Sequence, residues 1–142
     1  MPSTDSSLVF VYGTLRKDSR GQVLSPLCRD WIFVGYGSVG GRLYDFGAYP
    51  GAVPSDDPEE RIRGEVYELP APETMLPPID RYEGCSPEDD LPHEFERKLV
   101  TVEMEDGSEA TAWIYWYRPQ PRGRLLPTGD YLERMRPSRR PR

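Results

Sequence analysis

The hydrophobic positions of this chain fall mostly in short runs and two-residue alternations, a pattern of strands more than of long helices. Residues 8–11, Leu-Val-Phe-Val, are apolar throughout, which predicts a strand covered on both faces. "WIFVGYGSV" and "GRLYDF" read as two strands parted by glycines. In "RIRGEVYEL", Ile62, Gly64 and Val66 share one face and Arg63, Glu65 and Tyr67 the other, so a half-buried strand is expected. The clearest hairpin is "RKLVTVEMEDGSEATAWIYWY". Val100, Val102 and Met104 share a face there, Asp106-Gly107 makes the turn, and an aromatic strand returns to Tyr117. On that return strand Trp113, Tyr115 and Tyr117 face one way and Ile114 and Trp116 the other, which assigns core packing to the strand and a rim position to Tyr117. Helix is expected only near residues 16–28 and over 73–82, where Pro77 and Pro78 should kink or restart it.

Sixteen prolines and 13 glycines are spread through the connections, so no linker divides the chain. The expected class is α+β: a small mixed or antiparallel β barrel with short peripheral helices, its strands drawn from residues 8–12, 31–46, 61–69 and 95–117. Residues 1–135 are read as one domain and 136–142 as a basic, disordered tail. A length of 142 residues suits a single core.

The net charge of −6 argues against a general phosphate-backbone binder. Its distribution is uneven: residues 118–142 hold eight Arg and two acidic residues, leaving 10 basic and 22 acidic residues in the first 117. The basic end reads as a solvated tail, and no nucleic-acid partner is expected. No run approaches the roughly 20 apolar residues of a membrane span, and "MPSTDSS" lacks a signal-peptide pattern, so a cytoplasmic protein without membrane contact is expected. Cys28 and Cys85 form no CxxC or Cys/His cluster, so neither a disulfide framework nor a metal site is indicated.

Several motifs lose their force in context. Gly35, Gly37 and Gly40 spell GxGxxG, but β character continues through "GRLYDF" and leaves no helix N-terminus for a pyrophosphate. His93, the sole histidine, sits in the polar loop "SPEDDLPHEFE", and no GxSxG accompanies it, which weighs against a serine hydrolase. Two pieces keep chemical promise. The turn Tyr12-Gly13-Thr14-Leu15 ends a buried strand and is either an ordinary turn or a nest of backbone N–H groups for an anion or carbonyl. Glu83, in "IDRYEG", is either an exposed carboxylate or a desolvated proton acceptor.

In order along the chain, "YGTL", "AYPG", "RIRGEVYEL", "IDRYEG", "FER", "AWIYWY" and "TGDYL" resemble the gamma-glutamylcyclotransferase-like family, which includes gamma-glutamylamine cyclotransferases, across most of residues 8–131. The resemblance implies an enzyme that closes a γ-glutamyl amine or γ-glutamyl amino acid into 5-oxoproline and releases the amine, without a cofactor. It makes Glu83 the catalytic acid/base and places Tyr12, Gly13, Thr14, Leu15 and Tyr117 at a small γ-glutamyl substrate. The rival reading is a non-catalytic ligand-binding or interaction barrel of the same fold. Phe95 stands where the family has a tyrosine, so packing at that position is retained and a hydroxyl is lost. The oligomeric state has no sequence signal.

Overall fold

The computed structural model describes residues 6–13, 15–16, 25–47, 49–121 and 123–132. Five strands close a barrel in the order β1 (Leu8–Val11), β5 (Arg61–Glu68), β2 (Ile32–Gly40), β6 (Phe95–Met104) and β7 (Glu109–Tyr117). Val9 pairs in parallel with Trp113 to complete the ring, and the other contacts are antiparallel. The expected barrel is present.

Successive side chains of β1 leave on opposite faces, as strand geometry requires. Phe10 joins Val39, Ile62, Val66, Val102 and Ile114 in one buried cluster, whereas Val9 and Val11 join Tyr67, Leu76, Ile79 and Tyr115 in a second. The second cluster lies beneath the helix α2 (Pro72–Glu83), which explains why β1 is apolar at every position. Of the helix expected near residues 16–28, a single turn, α1 (Ser25–Cys28), is described, and residues 17–24 lie outside the described residues. The same holds for the tail 136–142.

Three expectations are corrected. First, residues 42–45 do not stay in the barrel: β3 (Arg42–Asp45) pairs with β4 (Pro50–Val53) and β8 (Arg124–Leu126) in a separate three-stranded sheet. Leu43, Ala52 and Leu126 from these strands pack into the same cluster as Phe10. Strands of three or four residues are too short for alternation to announce them. Second, "RIRGEVYEL" is buried on both faces from residue 64 to 67. Glu65 is fully buried, 3.4 Å from the buried Arg16 guanidinium, and accepts the Tyr67 hydroxyl at 2.8 Å. Arg16 also donates to Asp130 at 2.8 Å, which ties the "TGDYL" segment to the end of β1.

Third, Pro77 and Pro78 do not interrupt α2, which runs unbroken through them. Each proline removes a donor to the carbonyl four residues back. Those carbonyls belong to Glu73 and Thr74, both exposed, where water can satisfy them. Leu76 and Ile79 meanwhile seat the helix on the barrel.

Glu65→Ala should destabilise the fold by about 3–5 kcal/mol, because it strips a buried guanidinium of one partner. Urea unfolding with an unchanged m-value would read this. A loss under about 1 kcal/mol would show that Asp130 alone satisfies Arg16.

Candidate active site

Leu76, Ile79, Asp80 and Glu83 are spaced as one helix face, so the stripe that buries α2 also turns Glu83 toward the barrel. The depth and rotation of that face are set by Asp80. Its carboxylate accepts Arg97 Nε at 2.8 Å and Nη2 at 3.2 Å, and the Tyr115 hydroxyl at 2.6 Å. Arg97 and Tyr115 are directly paired across β6 and β7, and the Arg97 guanidinium lies 4.4 Å from the centre of the Trp113 ring. The helix then stops at once. Gly84 adopts a left-handed conformation, with its N–H on the Arg81 carbonyl and the next N–H, of Cys85, on that of Asp80. This is a Schellman ending, and it fixes Glu83 as the last helical residue.

Glu83 opens onto a cleft of about 290 Å³ whose other walls include Tyr12, Gly13, Leu15, Tyr49, Pro50 and Glu94. The turn after β1 is closed by the Arg16 N–H on the Gly13 carbonyl at 3.0 Å, and Tyr12 is pinned by its hydroxyl to the Tyr115 carbonyl at 2.6 Å. A Cβ on residue 13 would stand 2.4 Å from Pro50 Cγ, so the glycine lets two distant segments meet at the cleft wall. Sequence reasoning therefore brought Glu83, Tyr12, Gly13 and Leu15 to one place. Thr14 and Ala48 lie outside the described residues.

Tyr117 does not line this cleft with them. Its ring packs 4.6 Å from Phe46 and 5.5 Å from Phe95, and Phe95 in turn contacts Tyr49, so Tyr117 backs the wall from behind. The packing expected of Phe95 is present. His93 contacts the Asp89 carbonyl at 3.3 Å and does not line the cleft.

Among the cleft residues that the sequence did not single out, two are paired with each other. Glu94 falls in the polar loop around His93 and Tyr49 in "AYPG", and the Tyr49 hydroxyl donates a hydrogen bond to the Glu94 carboxylate. They are far apart in sequence, and no local pattern joins them.

Burial pushes the Glu83 carboxyl up to about 8, and the negative charges of Glu94 and Asp80 add to the shift. Burial, then the Glu83 charge, likewise raises Tyr12 well above the usual phenol range. Tyr49 is pushed up to about 12, first by its bond to Glu94 and then by burial. Cys85 rises to about 12 through burial and the charges of Asp80 and Glu83, which makes it a poor thiolate nucleophile. The arrangement places a carboxyl of raised pKa and the described residues of the turn on one cleft.

Comparison with known proteins gives this barrel and its cleft carboxyl a family. The chain belongs to the family "Gamma-glutamyl cyclotransferase, AIG2-like", which matches residues 9–133. It is 34% identical to MJ1514 of Methanocaldococcus jannaschii over 88% of this chain and 95% of that protein. It is 31% identical to the gamma-glutamylcyclotransferase family protein YtfP of Escherichia coli over 89% and 96%. Among solved structures, PH0828 from Pyrococcus horikoshii aligns with a TM-score of 0.63 at 28% identity, covering 92% of this chain and 93% of that one.

Because the folded protein raises the Glu83 pKa, it retains a proton that the unfolded chain releases. The sign follows: stability falls as pH climbs from the ordinary carboxylate range through about 8, by up to about 1.4 kcal/mol per pH unit. Glu83→Gln should abolish that contribution. In urea titrations the variant should gain on the parent between about pH 5 and pH 8.5, and parallel curves would show that Glu83 titrates normally.

Proposed function

We propose that this protein is a γ-glutamyl cyclotransferase that converts γ-glutamyl amines or γ-glutamyl amino acids to 5-oxoproline and the released amine, with Glu83 as general acid/base. Family membership supports the reaction class. The observation that carries the assignment of roles is Glu83, held in a cleft across from the Tyr12 to Leu15 turn and poised near neutral pH.

The α-ammonium of the glutamyl group first gives one proton to solvent, and the neutral amine nitrogen then attacks its own γ-carbonyl carbon. Glu83 takes the proton this nitrogen sheds. The bond from the γ-carbon to the leaving nitrogen then breaks, and Glu83 returns the proton to that nitrogen, so no water, oxidant or cofactor enters the balance. A pKa of about 8 suits both halves, since a base must be strong enough to deprotonate an amine and its acid strong enough to protonate the departing one. The turn would present backbone N–H groups to the glutamyl oxygens, where charge develops. Holding the chain folded for ring closure supplies the rest, as an effective molarity that can reach on the order of 10⁵ M or more.

Release of 5-oxoproline from a panel of γ-glutamyl compounds tests the reaction, and simple γ-glutamyl amines or amino acids should exceed glutathione. Glu83→Gln should lower turnover by roughly 10² or more with binding retained. The acid limb of kcat/KM should sit near pH 8, above the usual carboxylate range. Gly13→Val should instead weaken affinity as well as rate, since its side chain runs into Pro50. If Glu83→Gln stays active while Glu88→Gln, altered outside the cleft, is dead, the wrong carboxylate has been chosen.

A further inference from the structure

The proposed reaction needs one carboxylate, and the cleft holds two. Glu94 stands just before β6. Its backbone carbonyl accepts the Arg118 N–H at 2.8 Å, and its side chain is gripped by the Tyr49 hydroxyl, so it is fixed at the wall from both ends. Glu94 and Glu83 are electrostatically coupled, since the charge of Glu94 is the second cause of the raised Glu83 pKa. Among the described residues that line the cleft there is no Lys, Arg or His. Arg97 is paired with Asp80, Arg16 with Glu65 and Asp130, and Arg118 with Glu96, while Arg81, two residues before Glu83, is exposed.

A charge count follows. When Glu83 is ionised to accept its proton, the wall carries two negative charges. A γ-glutamyl head brings one α-ammonium and one α-carboxylate, a net charge of zero, so the excess negative charge remains. Whatever is attached to the γ-nitrogen decides whether it is offset or made worse.

Resting on the cyclotransferase reading, we infer that Glu94, oriented by Tyr49, is a specificity-determining residue that narrows the two proposed substrate classes: it favours γ-glutamyl amines with a cationic leaving amine, tolerates neutral ones and disfavours γ-glutamyl amino acids, whose leaving group carries a carboxylate. The physical basis is Coulombic. In a cleft partly withdrawn from water, one fixed charge at several ångströms discriminates between opposite ligand charges by about tenfold or more. Like charges are excluded as effectively as opposite charges are drawn in. Were Glu94 a member of the proton-transfer machinery instead, its loss would slow all leaving groups alike.

The test uses three γ-glutamyl conjugates of unbranched amine chains of equal length, ending in a methyl, an ammonium or a carboxylate, with kcat/KM read from 5-oxoproline release at fixed pH. The ammonium-ended conjugate should lead and the carboxylate-ended one trail, by about tenfold or more between them, and added salt should narrow the gap. In Glu94→Gln the ratio of ammonium-ended to carboxylate-ended kcat/KM should collapse toward unity. The ratio is the useful readout, because all three share one γ-glutamyl head and any change in Glu83 ionisation cancels. Tyr49→Phe, which removes only the hydroxyl that orients Glu94, provides a second variant and should shrink the ratio too. Equal turnover of the three conjugates by the unaltered protein overturns the charge selection and leaves the cyclotransferase reading standing. A ratio unchanged in both variants removes Glu94 from the role. Absence of 5-oxoproline from every conjugate overturns the cyclotransferase reading, and this inference falls with it.

Discussion

The geometry of the cleft depends on how Asp80 is held. Taken alone, α2 is a poor helix: it is short, its N-cap residue is Ala71 with no side-chain cap, and two prolines cost it hydrogen bonds in its second turn. What fixes it is a carboxylate that receives two guanidinium N–H groups and a phenol from adjacent strands. Glu83 lies three residues further on the same face, so clamping Asp80 sets the position of the proton-exchanging group. The same negative charge also raises the Glu83 pKa. Asp80 thus sets where Glu83 stands and adds to its proton affinity, after burial and the charge of Glu94.

The barrel supplies the remaining constraints through its two-sided packing. Phe10 fills the cluster that also holds Val66 and Ile114, Val9 and Val11 form the bed for α2, and the strand that carries them ends in the turn at the cleft. That turn is fixed from three directions. Tyr12 is tied to β7, Gly13 abuts Pro50, and Arg16 is buried against Glu65 and Asp130.

How far this could be read in the sequence depended on whether the signal was local. The hairpin of residues 97–117, the β1 strand and the "EG" helix ending announce themselves through alternation, apolar run and glycine, each within a few residues. Local sequence left Glu83 and the Tyr12 to Leu15 turn open between bland and chemical readings, and it was the resemblance of their contiguous motifs that singled them out; Glu83, Tyr12, Gly13 and Leu15 share the cleft. Glu65 was misplaced because alternation assumes that a charged position faces water, and only the fold reveals that Arg16 is there to meet it. The pairing of Tyr49 with Glu94 spans two loops and three intervening elements, and nothing in either loop announces it. The unbroken passage of α2 through Pro77 and Pro78 was hidden for a similar reason, since tertiary anchoring outweighs local propensity.

The absence of a cation among the described cleft residues bears on the proposal that a backbone turn binds the substrate. A γ-glutamyl group carries an α-carboxylate, and an arginine would be the ordinary partner for it. Yet an arginine close enough to grip that carboxylate would also stabilise the ionised form of Glu83, drawing its pKa down toward the usual carboxylate range. Glu83 would then be a weak base toward an amine and a poor donor to the leaving nitrogen, because its conjugate acid would be absent at neutral pH. Backbone N–H dipoles carry partial charge and fall off more steeply with distance than a full cation, so they can hold an oxygen while perturbing the neighbouring carboxyl less. On the proposed reading the glycine of the turn and the acidity of the described cleft residues would be parts of one solution: a close backbone approach at Gly13 would serve in place of a cation, and the raised proton affinity of Glu83 would be preserved.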